Sequence, residues 1–149
     1  MRAVVQRVNR SQVKVNGLVV GSIGRGLNIL LGIKKGDSEE DAQKLVKKIV
    51  NLRIFEDKKG KFQLSLLDIE GEALIISQFT LYANTRKGRR PSFEEAEEPK
   101  RAEELYNFFV REFKKTGVKK VETGIFGAMM EVLIENWGPV TILLDSEQL

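Results

Sequence analysis

The sequence predicts an α/β fold: a mixed, largely antiparallel β-sheet core with two amphipathic helices packed outside it. Three observations point there: an Asn16-Gly17 turn between apolar stretches near the N-terminus, only two segments of helical periodicity, and many short apolar runs without regular strand–helix–strand alternation. A doubly wound parallel sheet does not fit that order. At 149 residues, 42% of them hydrophobic, residues 1–149 are expected to form one domain with its own core.

Ala3-Val4-Val5-Gln6-Arg7-Val8 alternates as a strand does, and Val13-Lys14-Val15 and Leu18-Val19-Val20 flank the Asn-Gly turn as a hairpin. Leu27 to Ile33 is almost continuously apolar, the pattern of a central strand covered on both faces. Asp37 with Glu40 resembles a capping box, followed by Ala42, Leu45, Val46, Ile49 and Val50 at helical spacing. Arg53 to Glu56 and Phe62 to Leu64 read as a second hairpin around Asp57-Lys58-Lys59-Gly60. A second helix is expected from near Pro99 to just before Gly117, with Ala102, Leu105, Tyr106, Phe109 and Phe113 on its buried face. Val118 to Glu122, Ala128 to Asn136 and Val140 to Leu144 complete the strands, the last two separated by a turn at Trp137-Gly138-Pro139.

Near the centre, Ala73 to Tyr82 is a strand-like apolar run that turns polar at Ser77, Gln78 and Thr80. A buried strand has little reason to carry such groups unless something there is hydrogen-bonded. Composition restricts what that is. The chain has 0 His and 0 Cys, which removes the usual zinc ligands, the usual general base near neutral pH, and every Ser-His-Asp or Cys-His mechanism. A hydrolase built on it moves protons through Lys, a carboxylate, water or the substrate itself. No Walker or Rossmann glycine pattern is present. Net charge +4 mildly favours polyanionic partners, and Arg86, Lys87, Arg89 and Arg90 form a basic loop able to neutralise phosphates. With no apolar leader and no run long enough to span a bilayer, a soluble cytoplasmic protein is expected.

Each polar feature has an ordinary reading as a solvated strand face, an exposed loop or a plain turn. Together, Ser77-Gln78-Phe79-Thr80-Leu81, Lys87-Gly88-Arg89-Arg90-Pro91-Ser92-Phe93, Gly124-Ile125-Phe126-Gly127-Ala128-Met129-Met130 and Asn136-Trp137-Gly138-Pro139-Val140-Thr141 resemble the D-aminoacyl-tRNA deacylase family. Arg2 to Val8 resembles that family's first strand, so the likeness runs end to end.

The resemblance implies a cofactor-free, metal-free homodimer that hydrolyses the ester between a D-amino acid and the 3′-terminal adenosine of tRNA. Its active sites lie at the dimer interface. Gly138-Pro139, with its peptide bond cis, then reaches the other subunit's Ser77-Gln78-Phe79-Thr80 segment as a chirality filter, and Arg7 braces it. Such a filter excludes L side chains at Cα, accepts many D-amino acids, and rejects achiral glycine poorly. Backbone N–H groups around Phe79 and Thr80 are the implied oxyanion donors, and Phe126, Gly127 and Met130 the implied adenosine pocket, with core packing the competing role for Met130. Two nucleophiles stand open, the Thr80 hydroxyl and water activated by the terminal 2′-hydroxyl. With no His and no acid or Lys beside Thr80 in sequence, the second is favoured. The rival readings are a non-catalytic RNA-binding module and a small-molecule esterase.

Overall fold

The computed structural model describes the whole chain, Met1–Leu149. β1 (Arg2–Val15) turns at Asn16-Gly17, both at positive φ (51° and 78°) as a type I′ turn requires, into β2 (Leu18–Ile23). β3 (Gly26–Gly32) pairs antiparallel with the first half of β1, at residues 2–8. α1 (Glu39–Asn51) follows, then a separate two-stranded hairpin of β4 (Phe55–Glu56) and β5 (Phe62–Leu64), with Gly60 at φ +75°. β6 (Glu72–Ser77), α2 (Pro99–Lys114), β7 (Lys120–Thr123) and β8 (Glu131–Asp145) complete the order.

The main sheet runs β2-β1-β3-β6-β7, with β8 antiparallel along the other edge of β1. β6 is parallel to β3 and β7 is parallel to β6. These two parallel pairs follow from the helices, because a chain that leaves a strand through a helix returns in the same direction. The sheet is therefore mixed, as expected, with the antiparallel pairs at the β1 end.

Both predicted helix faces are buried. Ala42, Leu45, Val46, Ile49 and Val50 of α1 and Ala102, Leu105, Tyr106, Phe109 and Phe113 of α2 join Val5, Leu27, Ile29 and Ile75 in the main core. Burial of each large apolar side chain contributes about 1.5–3 kcal/mol, so these faces hold the helices to the sheet. The opposite face of the sheet closes over a smaller cluster of Val8, Val13, Ile23, Leu74 and Ile76. No helix is long and apolar enough to cross a membrane.

Three details differ from expectation. The capping box sits one residue later, with Ser38 as N-cap and the Asp41 carboxylate accepting the Ser38 amide at 2.8 Å. Asp37 is instead engaged with the N-terminus: it accepts the Lys34 amide at 2.7 Å and pairs with the Met1 ammonium at 2.8 Å. Ala73 to Tyr82 is not one strand: β6 ends at Ser77, and Phe79–Tyr82 forms a 3₁₀ turn. The physical reason is that β3 ends at Gly32, so after the Gln78 amide bonds Leu31 O at 2.8 Å the chain has no partner strand and satisfies itself locally. Finally, the residues around Trp137-Gly138-Pro139 do not separate two strands. They form a wide bulge within β8, since Gln6 pairs with Thr141 but Val8 pairs with Asn136.

Candidate active site

The end of β6, the 3₁₀ turn, the start of α2 and the segment before β8 enclose a cleft of about 810 Å³. Ser77, Gln78 and Phe79 line one wall, and Phe126, Gly127 and Met130 line the opposite side. Six of the residues singled out from the sequence are thus brought together. Phe126 is held by Tyr106, ring centroids 5.8 Å apart, while Tyr106 donates its hydroxyl to Ile75 O at 2.6 Å. Met130 lines the cleft and also packs against the smaller core cluster.

The 3₁₀ turn carries Phe79 and Thr80, two of the candidate residues. Its internal bonds start at the Leu81 amide, which donates to Gln78 O at 3.3 Å, followed by the Ala83 amide to Thr80 O at 3.1 Å. The amides of Phe79 and Thr80 precede that ladder and meet no protein acceptor. Two adjacent N–H groups are left free beside the cleft, on a segment anchored at both ends. On one side the Gln78 amide is tied to β3; on the other, the Arg2 guanidinium donates to Leu81 O at 3.1 Å and lies 4.5 Å from the centre of the Tyr82 ring.

Thr80 is exposed, and its hydroxyl oxygen accepts a hydrogen bond from the Gln78 side-chain amide. That bond occupies a lone pair and leaves the hydroxyl proton free to donate. No Lys or carboxylate hydrogen-bonds the group. The Tyr82 phenol, two residues on, is pushed above its ordinary range by burial and by Asp37 and Asp145, which keeps it protonated.

Arg7, Gly138 and Pro139 do not line this cleft. They form a second cluster across β1 and β8. Arg7 is buried, donates from Nε to Trp137 O at 2.8 Å and from Nη1 to Ile54 O at 3.0 Å, and stacks 4.3 Å from the Trp137 ring centre. The Gly138–Pro139 peptide bond is cis, both residues are exposed, and Gly138 has φ +134°. Asn136 fixes the far side of the bulge by accepting the Val140 amide at 2.8 Å.

Some lining residues had no role assigned from the sequence. Phe93 packs edge-on against Phe79, with ring centroids 5.0 Å apart, and Lys35, Glu97 and Glu98 complete the rim. Phe93 ends one of the motif stretches, which was the available signal for it. The acidic pair read only as a loop, although the Glu98 carboxylate caps α2 by accepting the Lys100 and Arg101 amides.

Comparison with known proteins shows which family the chain resembles along its whole length. Residues 4–145 match the family model described as D-Tyr-tRNA(Tyr) deacylase. The chain is 70% identical to a protein of Aquifex aeolicus (strain VF5) named D-aminoacyl-tRNA deacylase, over 149 residues and the full length of both. It is 62% identical, again over the full length of both, to one of the same name from Persephonella marina (strain DSM 14350 / EX-H1). Among solved structures, one titled c-Myc DNA Unwinding Element Binding Protein superposes with a TM-score of 0.92 at 45% identity, covering 97% of this chain and 98% of that one. A probable eukaryotic D-amino acid tRNA deacylase shares the fold, with a TM-score of 0.81 at 18% identity, covering 96% of this chain and 97% of that one. The family match and these relatives define a hydrolase of ester bonds. The chain belongs to the D-aminoacyl-tRNA deacylase family.

Proposed function

We propose that this protein hydrolyses the ester of D-aminoacyl-tRNA, and of glycyl-tRNA charged in error, releasing free tRNA and the amino acid, as a cytoplasmic homodimer with its two sites at the interface. The observation that carries this reading is the pair of free Phe79 and Thr80 amides beside an apolar cleft, the donor arrangement that a developing oxyanion needs. The terminal adenosine lies against Phe126, Gly127 and Met130. The scissile carbonyl faces the 3₁₀ turn, where Ser77 and Gln78 hold the wall and Gln78 orients the Thr80 hydroxyl.

The chirality filter comes from the partner subunit, as its Gly138-Pro139 bulge held by Arg7. Two features support a dimer. β8 pairs with β1 alone, leaving the second edge of a long strand open to another chain. Leu133 and Leu143 on it are 43% and 77% exposed, an apolar surface suited to a two-fold contact. The exposed carbonyls of the bulge accept hydrogen bonds from the substrate's α-ammonium group and leave no room for an L side chain. A Cβ at Gly138 would come within 2.9 Å of both Arg7 Nη2 and Val140 Cγ2, at a φ that L residues rarely adopt. Gly138→Ala therefore displaces those carbonyls, and a shift of roughly 1 Å costs about 10²-fold in rate. The expected result is a collapsed D-over-L rate ratio with tRNA affinity little changed; equal loss of both speaks against the filter.

Thr80 acts as a positioning donor, and the attacking water is activated by the terminal 2′-hydroxyl. The supporting observation is that the Thr80 hydroxyl is bonded to a neutral amide and to no base. Thr80→Ala is expected to retain deacylation within about tenfold, whereas a 2′-deoxy terminal adenosine abolishes it. A Thr80→Ala enzyme as dead as one lacking the whole turn makes Thr80 the nucleophile. The parent experiment presents matched D- and L-aminoacyl-tRNA with and without chelator: rapid loss of the D ester alone, unaffected by chelator, is expected.

A further inference from the structure

The chain leaves the 3₁₀ turn at Tyr82 and re-enters the cleft wall at Phe93, and between them residues 85–91 project as a closed loop. Its neck is a reciprocal pair of hydrogen bonds, Asn84 amide to Ser92 O at 2.7 Å and Ser92 amide to Asn84 O at 2.8 Å. Within the loop the Arg86 amide donates to Asn84 Oδ1 at 3.0 Å and Gly88 takes φ +65°, so the backbone has a defined course. The feet are fixed to the cleft itself, since Phe79 and Phe93 pack together just beneath the neck.

This loop carries Arg86, Lys87, Arg89 and Arg90, all exposed and none in an ion pair. Clustered cations normally find surface carboxylates, and carboxylates follow closely in sequence at Glu94, Glu95, Glu97 and Glu98. Glu97 and Glu98 instead line the cleft, with Glu98 capping α2 and Glu97 accepting the Glu98 amide at 2.9 Å. Charge is thus divided around the cleft, with free cations on the loop above its Phe79–Phe93 side and acids along the start of α2. A polyanion entering the cleft is repelled by the second side and held by the first.

We infer that residues 85–91 form a phosphate clamp that grips the RNA backbone just upstream of the esterified 3′ nucleotide. The inference rests on the proposed substrate and adds which surface holds which part of it. Such contacts fix the register of the strand without reading its sequence, so the clamp serves tRNAs of many sequences. The cations are mounted on the same segment as the Phe79 and Thr80 amides, so gripping the backbone also sets the ester against those donors.

The test is a variant carrying R86A, K87A, R89A and R90A, compared with the parent in two measurements. Binding of uncharged tRNA as a function of salt needs no turnover and decides the clamp even if the deacylase reading fails. Four lost phosphate contacts make the plot of log affinity against log salt shallower by about 3, and affinity at low salt falls by at least about tenfold. An unchanged slope overturns the clamp. The second measurement is the ratio of kcat/KM for D-aminoacyl-tRNA to that for D-aminoacyl-adenosine, which has no phosphate. The ratio is expected to fall at least tenfold; parallel loss on both substrates shows that the loop merely supports the cleft, and overturns the proposal.

Discussion

Phe79→Pro is expected to lower kcat by about 10²–10³ beyond the effect of Phe79→Ala, the loss typical of removing one oxyanion donor. The comparison isolates a single N–H. Both substitutions remove the ring that packs against Phe93, but only proline removes the amide. The backbone tolerates it: Phe79 opens a 3₁₀ turn, whose φ suits proline, and its amide has no protein acceptor to lose. Gln78 before it stands at φ −147°, ψ 83°, outside the helical region that a following proline disfavours. Single-turnover decay of D-aminoacyl-tRNA gives the rate directly. Equal rates for the two variants remove the Phe79 amide from the mechanism.

The second large effect is on stability. The Met1 ammonium is fully buried, held by Asp37 at 2.8 Å and by the Ser146 hydroxyl at 3.0 Å, and the Asp37 side chain is itself 6% exposed. Asp37→Ala leaves the ammonium without its counter-charge and the Lys34 amide without its acceptor. Breaking a buried pair from one side costs about 3–5 kcal/mol, more than the whole pair is worth against an apolar replacement. The expected thermal midpoint is lower by on the order of 10 °C. Asp37→Asn keeps an oxygen for the Lys34 amide and falls between the two. A midpoint for Asp37→Ala within 2 °C of the parent, measured by thermal unfolding, contradicts the buried pair. The contact joins the start of β1 to the turn before α1 and to the C-terminus, where the Ser146 amide also donates to Met1 O at 2.9 Å.

Much of the fold was legible because it rests on local periodicity. The Asn16-Gly17 hairpin, both helix faces and the glycine turn at Gly60 follow from residue type and spacing within a few positions. The structure departs from local pattern where a distant partner decides it. Ala73 to Tyr82 reads as one strand-like run, and it stops being a strand after Ser77 because β3, far away in sequence, has ended. Asp37 has the chemistry of a helix cap, and the N-terminal ammonium takes it instead. Trp137-Gly138-Pro139 reads as a turn between strands, and β1 running alongside turns it into a bulge.

By itself the sequence narrowed the class of chemistry, since 0 His and 0 Cys exclude the common hydrolytic triads, and it singled out short stretches that line the cleft, Ser77 to Phe79 and Phe126 to Met130 among them. It also determined the two amphipathic faces that make the core, because apolar spacing is a property of the chain alone. Only the tertiary structure decided that the polar run holds two unpartnered amides: a free N–H is defined by where every other acceptor lies, and no residue code records that. The same holds for the separation of Arg7, Gly138 and Pro139 from the cleft within this chain. Side-chain identity names the groups, but distance decides what they do together.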